Sequence, residues 1–425
     1  MDVKMAWLQE LEHPTEAFFA AFAARAQAEN GALEAARDAV ERLVPLVDWA
    51  GYQPQVPHGL LGLWAVFRLQ PLLQEKSFLR LLATQLHAFA HEVRQPKGRK
   101  LPTLGQGSGH WGNLRMAIET HRPSLAWGEA VGVAHPEDED FRRIGALVFP
   151  DMACVGHKAV MAQRLGALNQ QLGCAPAPGR RLLGISAWLA ATEPSDTFWY
   201  QRIRRRLDGA QGESGEPPQR PEALAGMICE VGLVELLDHC AAQVRACLGP
   251  EAWLSALVLA ACDKQLDARR DLEGRTAWNF AYLSAIGSPA PETWIQAAAL
   301  INLFPSDEEA SRLKPKAPSP PAADPSEGLR EAILDGEAPE AMHHASALLE
   351  RGTHPPVLEI LAEAAALNDP AFNHSHHILA VASAADLLPR VPDRVGRRML
   401  LALAKMLANS QGSCDLGRRA EREFR

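Results

Sequence analysis

Residues 18–46 read FFAAFAARAQAENGALEAARDAVERLVPL, and this stretch decides the fold class. Phe18, Phe19, Phe22, Ala23, Leu33, Ala36, Val40, Leu43 and Val44 recur at spacings of three and four. That is the period of a helix with one apolar face. Asn30-Gly31 interrupts the pattern, because both residues tolerate a left-handed turn, and it divides the stretch into two helices. The same texture continues in both directions. Ala and Leu dominate, apolar residues rarely alternate with polar ones, and the chain has only three tyrosines. The expectation is an all-α chain, a multi-helix bundle or helical array with no significant sheet.

Further helices are expected near 59–73, 76–93, 111–119, 138–147, 151–172, 180–192, 196–207, 221–246, 250–268, 275–286, 291–302, 306–313, 328–335, 339–351, 355–367, 374–388 and 393–409. Pro291-Glu292 and Pro339-Glu340 place proline in a first turn, where its missing N–H costs nothing. Ser306-Asp307-Glu308 offers a cap and acids to a helix dipole. Residues 94–110 carry several Gly and Pro residues before His110, and 208–220 read as a surface loop. Residues 313–327, with Pro315, Pro318, Pro320, Pro321 and Pro325, read as a linker or surface loop. The organisation expected is a helical domain over 1–312 and a C-terminal helical segment over 328–425. That segment is either separate or packed into the same core. Residues 347–361 read as a helix–turn–helix, but no second copy at a fixed period marks a repeat array.

Across 425 residues, 47% are hydrophobic and 22% charged, which is globular composition. The formal net charge of −8 argues against nucleic acid as a main partner, since phosphate binding needs clustered Lys and Arg. The one basic run, Arg202, Arg204, Arg205 and Arg206, reads as a solvated helix end. Seven cysteines without a CxxC pair indicate neither a disulfide framework nor a Cys-rich zinc site. With no signal-peptide pattern and no long apolar run, the chain is expected to be cytoplasmic, with no membrane partner. There is no Walker loop, no Gly-x-Ser-x-Gly elbow and no His-Glu-x-x-His.

What remains is histidine, fifteen in all. The densest group is Asn373-His374-Ser375-His376-His377. On a helix His374 and His377 share a face, a natural half-site for a divalent metal, and His376 can turn inward at a helix start. The alternative reading is capping and surface histidines after Asp369-Pro370. His87 and His91 stand four apart, a spacing that can chelate one ion, or they are exposed. His343-His344 diverge by about 100° and read as surface. His58 sits where a helix begins and points from its N-terminus into apolar sequence. His110 and His157 are flanked by glycines. Arg275, Trp278 and Asn279 line a pocket on one reading. On the other, Asp271 and Glu273 cap the helix and Trp278 is core.

Two of these segments resemble the questin oxidase-like family, all-helical oxygenases of polycyclic aromatic substrates that use a histidine-bound non-haem iron. His58-Gly59-Leu60-Leu61, followed by Ala65-Val66-Phe67-Arg68, is similar to the family's His-Gly-apolar-apolar helix start. His374-Ser375-His376-His377-Ile378-Leu379 resembles its late histidine helix. Where the first motif carries a second histidine, this chain has Trp64, and 275–286 holds no histidine. The resemblance implies an Fe(II) oxidoreductase with O2 as co-substrate and His58, His374, His377 and His376 as ligands. It implies a small aromatic substrate, for which Trp64, Trp278, Asn279 and Arg275 are the candidate contacts. The alternative is a non-catalytic α-helical scaffold that binds another protein.

Overall fold

The computed structural model describes residues 2–46, 58–93, 107–149, 156–192, 197–208, 218–268, 273–286, 291–303, 324–352, 354–370, 375–410, 412 and 414–423. Among them are 22 α-helices and no strand, so the chain is all-α as its periodicity requires. No helix of the described residues is long and apolar enough to cross a membrane. The expected helix at 306–313, most of the loop at 94–110 and residues 313–323 lie outside the described residues.

The chain forms two compact units. The first comprises Met1–Thr197, Asp369–Ser375 and Ser413–Arg425, and the second Phe198–Asn368 and His376–Gly412. In the first, the stretch that decided the fold becomes Phe18–Ala26 and Gly31–Leu43, divided at Asn30 with φ +55°. The His58–Leu69 helix is buried on nearly every side, matching its unbroken apolar sequence, and it packs on Glu75–Val93 and His157–Gln171. Gly59 and Gly62 permit that approach. A Cβ on Gly59 would stand 2.6 Å from Phe89 and Glu92, and one on Gly62 would fall within the Gln85 amide.

In the second unit the closest pairing joins Glu273–Ala285 to His376–Leu387. Pro250–Asp267 and Asp393–Asn409 pack beside this pair. Arg390 donates to the carbonyls of Ser284 (3.1 Å) and Ile286 (2.6 Å), tying the C-terminal ends together. Lys405 closes the end of the Pro250–Asp267 helix by donating to the carbonyls of Leu266 and Ala268.

Several boundaries differ from expectation. The helix expected over 221–246 is two, Pro221–Glu230 and Leu233–Arg245, because Val231 and Gly232 turn extended. Val3–Glu12, Pro123–Val131 and Asp415–Glu423 are helices that the sequence pattern did not mark. Pro325, expected in the linker, opens a helix instead. Asp324 accepts from the Ser326 amide and proline fits the first turn.

Candidate functional site

Two clusters hold the histidines of interest, one in each unit. In the first unit His58 opens the His58–Leu69 helix. The Glu92 carboxylate, from the end of the neighbouring helix, accepts from the backbone amides of His58 (3.1 Å) and Gly59 (2.9 Å). It supplies side-chain acceptors to the first amides of that helix. Glu92 keeps part of its outer surface, but its carboxyl is closed in by protein. Burial pushes its pKa up to about 7, against the pull of the Gly59 and His58 amides. The rings of His58 and His157 meet edge to face at 6.1 Å. Gly156 at φ +81° sets His157 at the start of its own helix.

Gln85 also binds the start of this helix. Its Nε2 donates to the Gly59 carbonyl at 3.0 Å, and its Oε1 accepts from Ser375 Oγ at 2.9 Å. Ser375 holds φ +64°, a conformation that costs a non-glycine residue free energy, and it immediately precedes His376. Trp64, expected to contact substrate, is buried with the Arg164 guanidinium 3.9 Å above its ring.

In the second unit His376 and His377 begin their helix against Glu273, the first residue of Glu273–Ala285. His376 Nδ1 lies 3.0 Å from Glu273 Oε1, and His377 Nε2 lies 3.8 Å from Oε2. His377 Nε2 also lies 2.8 Å from Ser410 Oγ. The His377 ring is fully buried. That burial pulls its pKa down to about 4; Glu273 opposes the shift and His376 adds to it. His377 is therefore a neutral imidazole at pH 7.

Trp278 and Asn279 follow Glu273 on the same helix and are buried, whereas Arg275 is partly exposed. Thr276 donates to Gln265 Oε1 at 2.6 Å across to the Pro250–Asp267 helix. His374 lies outside the described residues. His58 belongs to the first unit and His376 and His377 to the second. Among the described residues no group of three His, Cys, Asp or Glu side chains is arranged to hold a metal ion.

The other histidines divide as their neighbours dictate. The His87 ring stacks on Phe19 at 5.2 Å, touches Phe18 edge-on, and meets the His91 ring at 4.5 Å. His110 caps its helix by accepting from the Gly112 amide. Cys240 is a buried thiol, pushed up to about 12 by burial, and so not a nucleophile.

Glu92, Glu273 and Ser410 are the partners that sequence reasoning missed. Glu92 follows His91 in a helix already marked as histidine-bearing, and Glu273 was weighed only as a cap. Ser410, the residue that ends an ordinary amphipathic helix, carries no sequence signal. No family model, no curated protein and no solved structure matches this chain. The fold and its two histidine–glutamate clusters therefore define the class: an all-α protein with titratable groups set at helix starts.

Proposed function

We propose that this chain is an oxidoreductase acting on a small apolar, aromatic molecule, with Glu273, His376 and His377 at the centre of its chemistry. One observation carries the reading: two imidazoles and a carboxylate converge at the paired starts of two largely buried helices. A buried imidazole held neutral beside a carboxylate is characteristic of reactive sites. Two histidines and a carboxylate are also the donor set of non-haem iron oxygenases, the chemistry that the His58 and His376-His377 segments imply by resemblance.

The described residues do not by themselves make an iron centre. The iron part of the reading therefore requires His374, next to this cluster in sequence, and no reaction step is drawn through a metal. In this reading Glu273 accepts from His376 and fixes its ring, and Ser410 orients the neutral His377. Trp278 and Asn279, on the same helix as Glu273, would be the apolar and polar contacts for substrate.

Elemental analysis of protein without a histidine tag, grown with iron, tests the proposal. Near-stoichiometric iron that disappears in His374→Ala supports it. Iron retained in full by that variant removes the ligand assignment. Stoichiometric zinc moves the chemistry to hydrolysis or structure. No metal, even after anaerobic reconstitution with ferrous iron, overturns the iron reading. The second reading, a protein-binding scaffold, would then lead. One observation favours it: Pro325–Leu334, Ala338–Glu350 and His354–Leu367 are consecutive helices packed on one another, as in helical arrays.

A further inference from the structure

The Arg80 guanidinium, in the first unit, is a buried ion without a counter-ion. Only 8% of the residue is exposed, and its Nε has no hydrogen-bond partner among the described residues. No carboxylate of the described residues forms an ion pair with it. Arginine cannot shed its proton to escape burial, so an unpaired guanidinium is among the costliest groups to enclose.

Its position shows what it faces. Lys76, Arg80 and His87 lie on one face of Glu75–Val93. Lys76 Nζ stands 3.6 Å from Glu421 Oε1, and His87 stacks on Phe19, whose ring lies 5.7 Å from the Arg419 guanidinium. Both contacts lead to the Asp415–Glu423 helix, so Arg80, between them, faces that helix too. Its charge is felt at the helix start. Burial and then the Asp369 carboxylate push the Cys414 thiol up, while Arg418 and Arg80 act against them.

That helix start already seats one carboxylate. Asp369 Oδ2 and Oδ1 accept from the amides of Leu416 (3.1 Å) and Gly417 (3.0 Å). The two amides answer Asp369 and leave Arg80 unanswered. Asp415 and Arg418 are exposed and opposite in charge, and Cys414 and Leu416 are half-buried. An anion can therefore come to Arg80 from solvent, along the helix start, without entering the core.

We propose that Arg80 and the start of the Asp415–Glu423 helix bind a small monovalent carboxylate. The guanidinium fork matches a planar carboxylate through two parallel N–H···O bonds. One negative charge balances the one positive charge left over. A doubly charged phosphate would meet Asp369 and Asp415 as well, and like charges at such a site oppose binding. The site uses none of the residues assigned to the oxidoreductase reading and stands or falls apart from it.

The test uses the full-length protein at pH 7 in a buffer without carboxylate or phosphate. The probe is acetate, compared with chloride at equal ionic strength. Two quantities are read: the thermal unfolding midpoint and the arginine Nε–H resonances, with Arg80→Met identifying that of Arg80. Acetate should raise the midpoint and shift the Arg80 resonance saturably, and chloride should do neither. Without acetate, Arg80→Met should be at least as stable as the native protein, because no pair is broken. It should also lose the gain that acetate gives. Arg80→Lys keeps the charge without the fork and should weaken acetate by roughly tenfold, the worth of one charge-assisted bond. No saturable shift with acetate, or the same shift with chloride, overturns the site. So does a marked loss of stability in Arg80→Met without acetate, since Arg80 would then be paired within the chain. Tighter binding of phosphate than of acetate overturns the ligand class.

Discussion

Each unit sets a glutamate against histidines at a helix start, and the two do so in opposite ways. Glu92 turns its carboxylate to the backbone amides of His58 and Gly59, and the His58 ring meets that of His157. Glu273 turns its carboxylate to the rings of His376 and His377. The first arrangement is a cap in which the titratable atoms belong to the acid. The second is a side-chain cluster in which burial acts on the base. What decides the difference is which polar group the packing leaves exposed to the acid: amides at an open helix end, or imidazoles where two helix starts lie side by side.

The largest expected consequence is an opposite response to pH. Glu92 binds its proton more tightly in the folded chain, about 7 against an ordinary 4.5. The first unit therefore gains stability as the pH falls through that window. His377 binds its proton less tightly when folded, about 4 against 6.5. The second unit therefore loses stability as the pH falls from 6.5 toward 4. Each shift of about 2.5 units corresponds to roughly 3 kcal/mol. Amide exchange followed separately over Leu60–Leu69 and Ile378–Leu387 at pH 5 and pH 7.5, corrected for intrinsic rates, should show protection changing in opposite directions. Glu92→Gln should flatten the first response and leave the second. Parallel changes in both units would dissolve the contrast.

A smaller effect sharpens the first half of the comparison. The cap by Glu92 and the Gln85 bond both depend on two helices approaching through Gly59 and Gly62. Gly62→Ala places a methyl inside the Gln85 amide, which must leave the Gly59 carbonyl and the Ser375 hydroxyl. Overpacking of this kind costs about 2 kcal/mol, and the released amide adds to it. Chemical denaturation should show that loss. Gly226→Ala, where a Cβ meets nothing within 4 Å, is the control and should match or exceed the native stability.

The fold was legible because helical period needs only local sequence. Phe18 to Val44 show it plainly, and the break at Asn30-Gly31 falls where the chain turns left-handed. Pro123–Val131 and Asp415–Glu423 escaped, since each completes few turns and neither carries the run of large apolar residues that marked the equally short Phe18–Ala26. The site was half legible. His58, His376 and His377 stand at or near helix starts, as their neighbours implied. Their partners were not legible. Glu92 lies 34 residues from His58, Glu273 103 from His376 and Ser410 33 from His377. Pairing at such distances is set by which helices pack together, and no local pattern records that.

The smallest effect tests the second half of the comparison. Gly274 follows Glu273 in the first turn of its helix, and a Cβ there would stand 3.0 Å from His376 Cε1. That neighbour is a ring at the start of a helix, not backbone, and it is partly exposed. It can give by the few tenths of an ångström required, while alanine gains helix propensity worth up to about 1 kcal/mol. The two terms nearly cancel, so Gly274→Ala should change stability by less than about 1 kcal/mol. The ring displacement should still be visible as a shifted His376 resonance, with His377 unmoved because Ser410 holds it. A loss as large as that of Gly62→Ala would mean that His376 is gripped as firmly as Gln85. The second centre would then be rigid packing, as the first is, and not a cluster of side chains free to respond to a ligand.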